Sequence, residues 1–306
     1  MIFKSTYLLL FVLLFYSTPF YACDVCGGGG SGAFLGIVPQ FEKNVFGLRY
    51  QYQKFTHPQT QFNLNNGSRV NNDYFHRSEM WFRTYPHKRI QLMGFVPYAV
   101  HLREESEGSS TVQASGDMRL MANYMFVNTG DSIKVKWKNT LMGGLTVSLP
   151  TGRYRTRDYN RRLLPPQFQP GTGAFGYTAN LIYTTRIKKW GLNVDAFFSI
   201  NSTNESQYRF GNQLRSSLLL FRTLNIKDYN FMLSAGGVLE HAQRDIEYNT
   251  TIEHTGGTYA LAHFGIDAYL GKLMLNTFIQ NPLSRNLPYS QPAMDVRLGF
   301  GAGWIF

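Results

Sequence analysis

Residues 294–306 read MDVRLGFGAGWIF and alternate between two kinds of side chain. Val296, Leu298, Phe300, Trp304 and Phe306 fall on one face; Asp295, Arg297, Gly299, Gly301 and Gly303 fall on the other, and Ile305 is the exception. A period of two marks an extended strand, because successive side chains of a strand point to opposite faces. A strand that is apolar on one face, polar or small on the other, and ends on an aromatic at the C-terminus fits the closing strand of a transmembrane β-barrel. A half-buried strand of a soluble protein reads the same way in isolation, so the rest of the chain decides.

The opposite end points the same way. Residues 1–22 carry one positive charge, Lys4, then the apolar run YLLLFVLLFY and then small and turn residues, the order of a secretory signal peptide. Phe20 occupies the −3 position of a cut after Ala22, where ordinary signal peptidase wants a small residue. Phe-Tyr-Ala-Cys is instead similar to a relaxed lipobox, in which Cys23 is lipidated and becomes the mature N-terminus. Cys23 and Cys26 are the only cysteines, so no disulfide staples the body. Three fates remain open for the pair: lipidation of Cys23, a disulfide, or two soft ligands toward a periplasmic metal, short of the four that zinc normally takes. The expected division is a signal peptide over 1–22, a Cys/Gly-rich leader over 23–44 and a barrel over 45–306.

Past the signal peptide no apolar run approaches the ~20 residues of a spanning helix. Mean hydropathy is -0.24, yet 15% of residues are aromatic and 29 are glycine. That combination suits strands that show lipid only every second residue. The net charge of +11 raises the question of nucleic acid. No basic helix, zinc pattern or basic run outside loops supports it, so the expected anionic partner is lipopolysaccharide.

Period-two segments recur at about 45–56, 74–85, 90–102, 114–127, 132–149, 174–187, 190–201, 211–223, 229–240, 257–269, 273–281 and 293–306. The connections between them alternate between tight (86–89, 128–131, 188–189, 224–228, 271–272) and long and polar. Short periplasmic turns alternating with long outer loops are the topology of an up-and-down outer-membrane barrel, and an even strand count puts both termini in the periplasm. The expected fold is therefore all-β, an antiparallel barrel of about 12 strands.

Alternation also assigns faces. Tyr50, Tyr124, Trp137, Tyr183 and Trp304 face lipid as candidates for an aromatic girdle, whereas Trp81 shares the inner face of Arg77, Glu79 and Arg83. The inferred lumen carries Arg49, Arg77, Arg83, Arg119, Lys134, Lys136, Lys138, Arg186, Arg215 and Arg297, against Glu79, Asp117, Asp195, Glu240, Asp267 and Asp295. Two readings stay open: a self-neutralising network that fills the barrel, or a narrow pore that prefers anions. Eight strands leave room only for side chains and sixteen enclose a water channel, so a barrel between them suits small solutes at most.

Three segments resemble a known family. SGDMRLMANYMF (115–126), LMGGLTVSLPTGRY (141–154) and QPGTGAFGYTANLIYTTR (169–186) look like the hallmark stretches of the outer-membrane transporter family named for the MetA pathway of phenol degradation. The matching positions are Gly116–Asp117, Leu149–Gly152 and Pro170–Gly173, over about 115–200. The N-terminal Cys-Asp-Val-Cys-Gly is also similar to that of some Bacteroidetes barrel proteins. The resemblance implies a twelve-strand-like barrel and a transport role, without a named substrate.

Other candidates are weaker. Glu253, His254 and His241 are read as sharing an outer loop and His263 as facing the lumen, with no metal spacing. Met121 and Met125 are in phase on an inner face, where plain packing competes with copper contact. Arg153, Arg155, Arg157, Arg161 and Arg162 interleave with Tyr154 and Tyr159 in the loop 150–173, suited to lipopolysaccharide phosphates or to an anion path if the loop folds inward. An outer-membrane phospholipase needs a serine with a histidine and an orienting group. Ser68 in Asn66-Gly67-Ser68, with His76 on the next strand, is the nearest echo and lacks such a motif. The expectation is a non-enzymatic channel or transporter for a small solute, without cofactor, in a Gram-negative outer membrane. The second reading is a structural or adhesive barrel.

The terminal phenylalanine is similar to the signal by which the barrel-assembly machinery recognises its clients. Deleting Phe306 is therefore expected to reduce the amount of heat-modifiable protein in the outer membrane severely, because the last strand must be recognised before a barrel exists. Normal outer-membrane levels of the truncated protein would refute this.

Overall fold

A computed structural model describes residues 43–57, 72–105, 108–129, 136–157, 163–287 and 291–306. Cys23, Cys26, Lys134, Arg161, Arg162, Tyr159 and Ser68 lie outside them. Twelve antiparallel strands close into a barrel. They are β1 (Val45–Thr56), β2 (Asn72–His87), β3 (Ile90–Glu105), β4 in two pieces (Gly108–Ser115 and Met118–Asn128), β5 (Trp137–Leu149) and β6 (Gly176–Ile187). The second half comprises β7 (Trp190–Asn201), β8 (Gln213–Ile226), β9 (Tyr229–Ala242), β10 (Gly257–Leu270), β11 (Leu273–Asn286) and β12 (Ala293–Ile305). Each strand pairs with its sequence neighbours, and β12 also pairs with β1, from Val45 opposite Ile305 to Thr56 opposite Ala293. Among the described residues closure pairs the strands around the ring, with only the Gly108–Ser115 piece of β4 paired on one side, as a bilayer demands because lipid cannot satisfy unpaired backbone groups.

The alternating apolar residues face outward. Leu48, Leu120, Leu145, Leu218, Phe264 and Phe300 are all exposed, as lipid contact requires. Tyr124, Trp137, Trp190, Tyr229 and Trp304 are exposed near the short-turn end, where an aromatic belt meets the headgroups. Tyr50 departs from the expected girdle: it lies opposite Phe300 near mid-strand and hydrogen-bonds His76 at 2.7 Å. Among the described residues no helix is long and apolar enough to cross a membrane.

Two irregularities interrupt the ladder. In β4 the inward phase runs over Ser110 and Val112, then shifts to Met121, Asn123 and Met125, with Gly116 and Asp117 at the break. In the β1–β12 ladder the register slips between Lys54 and Phe55, which places Asp295 in a bulge. Asp295 there accepts from Thr56 Oγ1 at 2.6 Å and pairs with Lys54 at 3.3 Å. It belongs to the strand ends and not to the charged wall expected for it, because a bulge reverses the face that strict alternation assigns.

Side chains pack the interior toward both ends. Toward the long-loop end Phe55, Phe75, Tyr259, Leu261 and Met294 pack with Leu164 and Phe168 of the loop between β5 and β6. Toward the short-turn end Val45, Trp81, Met93, Phe95, Met274 and Ile305 form a second apolar cluster. Ile305, the exception to alternation in the terminal strand, is inward and buried there. Charged and amide side chains lie between the two clusters.

Candidate functional site: the filled lumen and its outer knot

Two ion networks occupy the middle of the interior. On one wall Arg49 of β1 and Arg119 of β4 both donate to Glu79 of β2, and both guanidinium groups stack over Phe95, at 5.9 and 5.0 Å from its ring centroid. Arg77 extends the same inner face of β2. In the second network Arg297 of β12 grips Glu240 of β9 through two bonds of 2.8 and 2.9 Å. Arg215 of β8 lies between Glu240 (3.5 Å) and Asp195 of β7 (3.3 Å). Gln280 links Arg297 (2.9 Å) to His263 (3.1 Å), so a polar chain crosses several strands. Buried charges survive only when paired and further hydrogen-bonded, and these side chains are nearly all buried.

The other expected lumen residues are distributed unevenly. Arg83 is buried on the inner wall and donates to the Lys43 carbonyl at 3.2 Å. Asp267 is buried on the inner face of β10. Lys138 lies in the inward phase of β5 opposite Arg186 of β6, at the short-turn end. Lys136 precedes β5 on that rim and is exposed, outside the strand expected to begin near 132.

Asp117 has a different role from the one read from alternation. Its carboxylate accepts from the backbone N–H groups of Gly152 and Thr172 and from Thr172 Oγ1, at 2.8, 2.8 and 2.6 Å. It therefore ties the exit of β5 to the approach to β6 and does not line a passage. Arg153 N donates to Ser115 O at 3.0 Å and Gly171 N to Arg153 O at 3.0 Å, so the three family-like motifs meet backbone on backbone. A Cβ at Gly152 would stand 2.7 Å from the Gly116 carbonyl carbon, and one at Gly171 would stand 2.6 Å from that of Gly152. Only glycine permits this approach.

The knot directs the intervening loop inward. Gln169, almost fully buried, donates to the carbonyls of Leu164 (2.8 Å) and Thr156 (3.1 Å) and accepts from Thr156 N at 2.8 Å. Phe168 then reaches the inner wall: its carbonyl bonds His101 Nδ1 at 2.9 Å, and its ring lies 4.7 Å from the Arg103 guanidinium. Arg103 is held by Asp73 through two bonds of 2.7 Å, and His57 joins Asp73 at 2.9 Å. Outside the barrel, Asp245 accepts from Gly211 N (2.7 Å), Gln167 Nε2 (3.0 Å) and Tyr208, which ties the loop to a small three-stranded outer sheet. Burial pushes the Asp245 carboxyl above the ordinary carboxylate range.

Met121 and Met125 are buried on the inner face, and His263 is inward. His241 is a residue of β9 bonded to Thr258 at 2.9 Å, so it does not share the outer loop of Glu253 and His254. Among the described residues no cluster of three or more His, Cys, Asp or Glu has metal-binding geometry. Of the loop arginines, Arg155 donates to Ser206 Oγ at 2.9 Å. Apolar residues share the inner face with these charges, among them Phe55, Phe75, Phe95, Leu219, Phe221 and Met232, and the lumen expected from the sequence does not include them. The signal was present as consecutive apolar residues, as in Leu218 to Phe221, where both faces of one strand are apolar.

No family model and no curated protein matches the chain. Among solved structures, an outer membrane channel from Pseudomonas putida aligns with a TM-score of 0.67 at 11% identity, over 90% of this chain and 100% of that one. The beta domain of the Bordetella autotransporter Brka aligns with a TM-score of 0.50 at 11% identity, over 87% of this chain and 100% of that one. At such identities the likeness is one of fold: this chain is an outer-membrane-type β-barrel.

Replacing Asp117 by alanine removes a charged acceptor from two backbone donors, each such bond being worth roughly 1.5–3 kcal/mol. Amide hydrogen exchange over 152–157 and 163–172 is expected to accelerate strongly while the barrel strands keep their protection, with Asp117→Asn intermediate. Unchanged exchange in those segments would show that the loop is held without the knot.

Proposed function

We propose that the protein is a narrow channel or transporter of a Gram-negative outer membrane that passes a small solute and prefers anions. The observation that supports this best is the charge of the inner wall: Arg49, Arg77, Arg83, Arg119, Arg215 and Arg297 against Glu79, Asp195, Glu240 and Asp267. Cations prevail inside a low-dielectric tube, and such a field favours anions. Lys138 and Arg186 extend it to the periplasmic mouth. The resemblance of the knotted motifs to the phenol-degradation transporter family adds a transport role. Export by the signal peptide, assembly through Phe306, contact with lipopolysaccharide and one of the fates of Cys23 and Cys26 complete the proposal.

A second reading rests on the same interior. Leu164 and Phe168 inside the outer end, with apolar clusters above and below the ion networks, describe a barrel plugged by its own side chains. The solute path then depends on how far the loop yields. In planar bilayers the wild type is expected to show a small, anion-preferring conductance. Changing Lys136, Lys138 and Arg186 together to glutamate should move the reversal potential toward cations without loss of insertion, since lumen substitutions tune selectivity more than stability. A correctly folded but silent wild type would decide for the structural barrel.

A further inference from the structure

The short-turn rim is unusually basic. The tight turns are Lys88–Arg89, Lys188–Lys189, Lys227–Asp228 and Gly271–Lys272, so among these described turn residues only Asp228 is acidic. Two of the lysines occupy left-handed backbone, Lys188 at φ 53° and Lys227 at φ 52°. Two-residue hairpins favour Asn or Gly in that conformation, and a long side chain there costs energy. Positive charge thus stands on this rim in positions that backbone preference alone would give to other residues.

Beside one of these turns the lipid-facing wall is indented. A groove of ≈ 600 Å³ crosses β8 to β12, walled by Leu220, Leu233, Phe264, Ile266, Ile279 and Phe300. Ala235 lies between Leu220 and Phe264 in register and gives the groove its depth. Trp190 and Arg222 also line it, and they stand toward the short-turn end of β7 and β8, the Arg222 guanidinium 5.1 Å from the Trp190 ring centroid. Thr223 N donates to the Lys189 carbonyl at 2.8 Å, which fixes the Lys188–Lys189 turn next to Arg222.

We propose that this groove and its basic end bind an anionic phospholipid of the periplasmic leaflet. An acyl chain lies over Ala235, and the headgroup phosphate meets Arg222 and the Lys188–Lys189 turn. Cations just outside the hydrocarbon attract anionic headgroups, and a guanidinium suits a phosphate geometrically. The apolar groove argues for a lipid over a soluble or cell-wall polyanion, which has no use for an acyl-sized trench. The short-turn position argues for the phospholipid leaflet over lipopolysaccharide, which occupies the outer one.

The test reconstitutes the full-length barrel in vesicles of phosphatidylethanolamine and phosphatidylglycerol, extracts it in mild detergent and counts the retained lipids by mass spectrometry. The wild type should retain phosphatidylglycerol above its bulk share. The variant Lys188→Gly/Lys189→Asn/Arg222→Gln should lose that enrichment, by roughly fivefold for each cation that contributes. Glycine is the preferred first residue of a two-residue turn in which only that residue has positive φ, so folding is expected to survive, and heat-modifiability checks it. Should the triple variant fail to fold, Arg222→Gln alone carries the comparison. Lipid retained in the bulk ratio by the wild type, enrichment unchanged in the variant, or displacement of phosphatidylglycerol by added lipid A would each overturn the proposal. The readout is independent of conductance, so a silent channel leaves it standing.

Discussion

The bidentate pair between Arg297 and Glu240 expresses the constraint on which the interior depends. A ring of twelve strands lies between the eight that side chains alone fill and the sixteen that leave an aqueous channel. Long charged side chains resolve this only if each finds a partner, since an unpaired ion in that environment costs several kcal/mol. Arg297, Glu240, Arg215 and Asp195 form one such solution across β12, β9, β8 and β7. Arg49, Glu79 and Arg119 form the other across β1, β2 and β4. The walls are held apart and together by the same contacts. Arginines outnumber carboxylates in both networks taken together.

The outer end follows a different physics. Asp117 is an anion spent on backbone donors, and the glycines around it allow three chain segments to approach within a distance no side chain tolerates. The result is a loop aimed into the barrel, with Phe168 set on His101 and Arg103. Attachment at the knot and insertion of Leu164 and Phe168 make residues 163–172 part of the wall they narrow. Function, on the proposal above, lies between this constriction and the ion networks below it.

Much of the fold was legible in the sequence because lipid imposes a local rule. Val296, Leu298 and Phe300 had to alternate with Arg297 and Gly299, and that pattern repeated around the barrel at nearly every expected strand. The inner face obeys no local rule. Whether position 95 or 221 holds phenylalanine or arginine depends on what stands across the lumen, and period-two reading is blind to that. Hence Phe95 beneath two guanidinium groups, and Leu164 within the apolar outer cluster, were not anticipated. Asp117 was misplaced for a related reason. Phase carried from Arg119 runs through a break at Gly116–Asp117, and its partners lie 35 and 55 residues away along the chain. The family-like motifs marked the right residues there, although composition and period could not say that they meet.

The most direct measurement is a double-mutant cycle on the central pair, with unfolding free energies measured in lipid vesicles for Glu240→Gln, Arg297→Gln and the double variant. In a packed interior Glu240→Gln strands Arg297 and should cost about 3–5 kcal/mol, Arg297→Gln leaves Glu240 only its contact with Arg215 and should cost less, and the double variant should cost well below the sum. Small, additive losses would contradict this, because they would mean that water fills the lumen and solvates both groups.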